Sequence, residues 1–95
     1  MPIKRRSNNM RSGNVVSVMP TVLRHGPYRF YFYSHEANEP PHVHVDRDRA
    51  TCKFWLKEVA LASSLGFSAG EQREIERLVS ANRPMLFKAW EDFHG

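Results

Sequence analysis

Two histidines one residue apart, His42 and His44, followed by Asp46, form the tightest chemical grouping in the chain. In a strand, alternate side chains share a face and lie about 6.6 Å apart, so all three point the same way. That spacing lets two imidazoles converge on one metal ion or one phosphate. Three chemistries fit it. With a carboxylate from Asp46 or Glu36, the pair offers nitrogen and oxygen ligands suited to Zn or Fe. As acid and base, His42 and His44 would move protons on a phosphodiester held by Arg29, Arg47 or Lys53, as in metal-free ribonuclease chemistry. Hydrogen-bonded to Glu36, Tyr31 or Tyr33 instead, they would complete a face that binds a partner. A histidine-triad nucleotide hydrolase is set aside, because Asp46 stands where that motif places its third histidine.

Strands must position these groups. Thr21–Arg24 reads as a short strand and His25-Gly26-Pro27 as a turn. Tyr28–Ser34 is aromatic-rich with good strand propensity. His35–Pro41 is a polar loop ending in two prolines, which cannot donate to a ladder. His42–Asp46 and Ala50–Leu56 follow as a strand pair around Arg47-Asp48-Arg49, and Val59–Ala62 is a short fifth strand or a connection. Alternation then sorts the side chains. Tyr28, Phe30, Phe32, Val43, Val45, Ala50, Cys52, Phe54 and Leu56 make the apolar face. Arg29, Tyr31, Tyr33, His42, His44, Asp46, Lys53 and Trp55 fall on the other, which is expected to be open.

Two helices are expected to cover the apolar face. Ser68-Ala69-Gly70-Glu71 fits a capping box, and Ile75, Leu78 and Val79 recur at helical spacing behind it. Pro84 suits the first turn of a second helix with Leu86, Trp90 and Phe93 as its buried stripe, or kinks one long helix. The fold class is α+β: an antiparallel sheet of four to five strands, then a C-terminal helical pair packed on one face.

Composition narrows the function. The chain has 95 residues, 14 Lys+Arg, 10 Asp+Glu and a net charge of +4. Lys4, Arg5, Arg6 and Arg11 account for all of that charge, leaving ten basic and ten acidic side chains in residues 19–95. Residues 1–18 therefore read as a basic, flexible extension and residues 19–95 as one domain. Only the extension favours RNA or DNA electrostatically; the aromatics of the open face could add base stacking. Cys52 is the single cysteine, which removes disulfide scaffolds and favours a reducing cytoplasm. No apolar run approaches a membrane span, and Lys4-Arg5-Arg6 lacks the apolar stretch of a secretory signal. No cofactor is expected, with Zn or Fe at His42 and His44 as the alternative.

The runs Met19-Pro20-Thr21-Val22-Leu23-Arg24, Tyr28–Glu36, Pro40-Pro41-His42-Val43-His44-Val45, Lys53-Phe54-Trp55-Leu56, Gly66-Phe67-Ser68 and Ala89-Trp90 carry a resemblance. Over residues 19–95 the chain resembles the small bacterial family called domain of unknown function 4160. The resemblance implies a bacterial regulatory protein of toxin–antitoxin type, encoded beside a gene for another small protein, and Glu36, His42 and His44 as the positions that matter. The small size and the open face fit action through a small cognate protein, or through a homodimer. A ribonuclease-like phosphodiesterase using His42, His44, Glu36 and Arg29, with or without metal, is the alternative; a nucleic-acid-binding module is another.

Overall fold

In the computed structural model, which describes residues 20–95, five strands form a meander in which each pairs antiparallel with the next. They are β1 (Thr21–His25), β2 (Tyr28–Tyr31), β3 (His42–Arg47), β4 (Ala50–Trp55) and β5 (Ala60–Leu65). Left-handed residues make the three tight reversals: Gly26 at φ 57° after β1, Asp48 at φ 55° after β3, and Val59 at φ 52° after β4. Asp accepts that region more readily than a β-branched residue does, so the Val59 turn is the strained one. The basic extension of residues 1–18, with Lys4, Arg5, Arg6 and Arg11, lies outside the described residues.

The apolar face is the one that alternation assigns. Phe30, Phe32, Val43, Val45, Cys52, Phe54 and Leu56 are buried there, each at 2% exposure or less. Helix α1 (Ala69–Ala81) sets Ile75 and Val79 into this layer, and α2 (Arg83–His94) adds Leu86 and Trp90. A side chain such as Phe54 or Leu86 contributes about 1.5–3 kcal/mol when fully buried. Burial also pushes the Cys52 thiol up to about 12, consistent with a core residue rather than a nucleophile.

Local chemistry fixes the helices. Ser68 Oγ accepts from the Glu71 amide at 3.1 Å while Glu71 Oε1 accepts from the Ser68 amide at 3.0 Å, a complete capping box. Pro84 lies in the first turn of a separate α2, so the pair is two helices rather than one kinked helix. Arg83, at the start of α2, clamps the β4–β5 turn by donating to the carbonyls of Leu56 at 2.7 Å and Lys57 at 2.9 Å.

Three expectations change, the first at β2, which ends at Tyr31, three residues short of Ser34, because the chain there turns into the 3-10 segment Ser34–Glu36. The fifth strand begins at Ala60 and runs to Leu65, three residues beyond the expected end. Its Ser63 and Ser64 carry little strand signal, because both faces of this edge strand meet solvent over most of its length. Phe93, expected in the buried stripe, is 37% exposed. In the last turn of α2 its ring meets Phe32 and His94 on one side and solvent on the other.

Candidate functional site

Strand register places the polar groups in rows across the sheet. Tyr31, His44, Lys53 and Ser63 form one row; Arg29, Asp46, Thr51 and Leu65 form the next; His42 pairs with Trp55. The chain leaving β2 then crosses above part of this face. A single 3-10 turn, Ser34–Glu36, delivers the Glu36 carboxylate onto the histidines before Pro40 and Pro41 return the chain to β3.

The result is a compact cluster. Glu36 Oε1 lies 2.6 Å from His42 Nε2 and 2.7 Å from His44 Nε2, so one carboxylate oxygen serves both imidazoles. On its other side His42 Nδ1 donates to the Pro40 carbonyl at 2.9 Å. His42 has no exposed surface; its ring is held among His44 at 5.1 Å, Trp90 at 4.9 Å and Trp55 at 5.6 Å, measured between ring centres. His44 stacks on Tyr31 and meets Tyr33 edge-on at 4.7 Å.

Charges follow from this packing. Burial pushes the Glu36 carboxyl up, but hydrogen bonds from His42 and His44, with their charge, outweigh it and leave the group below its ordinary value. For His44 burial dominates and lowers the pKa, although the Glu36 hydrogen bond and charge pull the other way. Burial likewise raises the Tyr31 phenol, helped by its hydrogen bonds with Tyr33 and Asp46, so it stays protonated and donates.

The remaining site residues divide around that cluster. Asp46 does not join it: its Oδ1 accepts from the Tyr31 hydroxyl at 3.0 Å, and the carboxylate beside the two histidines is that of Glu36. Arg29 donates to Thr21 Oγ1 at 2.7 Å and lays its guanidinium 4.3 Å from the Tyr31 ring centre, one row away from His44. Lys53 donates to Glu39 Oε1 at 2.6 Å and stands 4.6 Å from the centre of the Trp55 ring.

The face is less open than alternation alone suggests. Tyr31 is 3% exposed and His42 is fully buried, the latter under the segment between β2 and β3 and the rings of Trp55 and Trp90. What stays accessible is a groove of about 310 Å³ lined by Tyr31, Tyr33, His44, Lys53, Ser63 and Leu65. A second groove, of about 420 Å³, runs between Pro40, Pro41, Trp55 and Phe87.

Sequence reasoning missed three participants. Glu39 holds Lys53, and its Oε1 lies 3.8 Å from His42 Nδ1. Its spacing of three from Glu36 was the available signal, since a single helical turn brings such positions together. Trp90 reads from its spacing as core, with nothing to signal its contact to His42, and Leu65 falls beyond the expected end of the fifth strand.

A five-stranded meander backed by two helices, with two imidazoles and a carboxylate on its far face, defines a small α+β domain built around a buried histidine. Residues 28–91 match the family model described as domain of unknown function (DUF4160), and the chain belongs to that family. No curated protein and no solved structure matches it significantly. No helix among the described residues is long and apolar enough to cross a membrane.

Proposed function

We propose that the chain is a small bacterial regulatory protein of toxin–antitoxin type that acts in the cytoplasm by binding a small cognate protein. The observation that carries this reading is the outer edge of β5. Ala60-Leu61-Ala62-Ser63-Ser64-Leu65 contains no charge and no proline, Leu61 is 42% exposed and Leu65 72% exposed. Sheet edges are ordinarily protected by charge, proline or cover. The opposite edge, β1, follows Pro20 and carries Arg24 and His25.

The occupant this edge suits is an extended, uncharged strand of the cognate protein. Such a strand would add to β5 through main-chain hydrogen bonds and set alternate side chains beside Leu65 and into the groove along His44 and Lys53. A bulge at Ala62 interrupts the β4–β5 ladder and leaves Ser63–Leu65 as its regular stretch next to that groove.

Burial weighs against the two-histidine phosphodiesterase. A general acid or base must come within hydrogen-bond reach of the proton it moves, and His42 has no exposed surface. A nucleic-acid role draws no support from the charge balance of residues 19–95, which is zero.

The test is growth after induced expression, alone and together with the product of the neighbouring gene. The expected result is arrest by one of the two proteins and recovery when both are present. Normal growth in every combination overturns the reading.

A further inference from the structure

We propose that Glu36, His42 and His44 bind a divalent first-row transition ion of the Zn(II) or Fe(II) kind. The three side chains each present one ligand atom, and these atoms all lie within 4.8 Å of one another. Two imidazole nitrogens with one carboxylate oxygen are a donor set such ions accept, and three protein ligands leave a position for water or substrate.

The orientation of His42 is the strongest argument. The Pro40 carbonyl can only accept, so Nδ1 carries a proton and Nε2 is the nitrogen turned to the cluster. Nε2 faces Glu36 Oε1 at 2.6 Å, and a metal ion bound here would displace the proton that the two atoms share. Anchoring the far ring nitrogen on a backbone carbonyl is also the usual way proteins orient a metal-binding histidine. Glu39 Oε1, 3.8 Å from the same Nδ1, adds negative charge behind the ring.

Stiffness and access fit as well. Both histidines project from β3 in the middle of the sheet, and His42 is immobilised by Trp55 and Trp90. Glu36 comes from a short turn and is the adjustable member. Tetrahedral coordination with bonds near 2.1 Å needs nitrogen and oxygen roughly 3.4 Å apart, so its separations of 2.6 and 2.7 Å from the two nitrogens must open by about 0.7–0.8 Å. The His44 and Glu36 side chains keep 12% and 14% of their surface exposed, which gives an ion a path from solvent. Other nearby carboxylates are already engaged, Asp46 by Tyr31 and Glu39 by Lys53.

The experiment uses the full chain, stripped with a chelator and dialysed. Zn(II) is titrated calorimetrically, and Co(II) is followed by its visible absorption. The expected result is one ion per chain, with Mg(II) failing to compete because it prefers oxygen ligands. Glu36→Gln and His44→Ala should each weaken Zn(II) binding by about 100-fold or more, at least the loss seen when a metal ligand's supporting partner is removed. Circular dichroism confirms that both variants fold. His25→Ala, at the exposed end of β1, should bind as the wild type does. Absence of stoichiometric Zn(II) binding overturns the proposal, and so does binding that survives both Glu36→Gln and His44→Ala or disappears in His25→Ala.

Discussion

His42 does for this domain what a polar residue seldom does: it fills core volume and satisfies two acceptors at once. Its ring packs between two tryptophans while its nitrogens meet Pro40 and Glu36. His42→Ala would leave the Pro40 carbonyl and part of the Glu36 carboxylate without their partner, as well as a cavity. We expect a loss of roughly 2–4 kcal/mol, read from urea unfolding in the presence of EDTA. His44→Ala, whose ring is partly exposed, should cost less than half as much; equal losses would contradict the division of roles. Alternation along β3 made both histidines legible as a same-face pair, and polarity singled out Glu36. Burial of His42 and Tyr31 was not legible. Period-two patterning says which face a side chain takes but not what later crosses that face, and here the cover includes the segment that follows β2.

Among the elements, α1 shows its origin in the sequence most directly, because its capping box is written in Ser68 and Glu71. Ser68→Ala should cost about 1 kcal/mol. The hydrogen bond from the Ser68 amide, then the guanidinium of Arg47, hold the Glu71 carboxyl below its ordinary range. Glu71 is thus more acidic folded than unfolded. Its contribution is complete above the ordinary glutamate range and is lost as the pH falls through the folded value. Thermal unfolding should therefore show a wild-type advantage over Glu71→Gln at neutral pH that closes in acid. An advantage that grows in acid would contradict this. The link from β5 to α1 makes a second demand: Gly66 sits at φ 92°, and a Cβ there would lie 3.2 Å from Ala50 Cα. Gly66→Ala should lose about 1–3 kcal/mol from the backbone conformation alone, before any clash. The fifth strand was the least legible element, since an edge exposed on both faces carries neither alternation nor apolar bulk.

At the scale of the molecule, the two helices spend their apolar surface on one side of the sheet and leave the histidine face and the β5 edge to other uses. This division explains why the fold class followed from sequence while the exposed β5 edge did not. Core periodicity is strong in β2 to β4 and in both helices, whereas an edge is defined by where the ladder stops. The central claim is that β5 receives a strand from a cognate protein. Its most direct test is the light-scattering mass of the chain co-expressed with the product of the neighbouring gene, compared with the Leu61→Asp/Leu65→Asp double variant. Both leucines are exposed, so the variant should keep the wild-type melting temperature within a few degrees. The account predicts a complex containing both proteins for the wild type and a free chain for the variant. A wild type that elutes alone or as a homodimer, or a variant that keeps its partner, would contradict it.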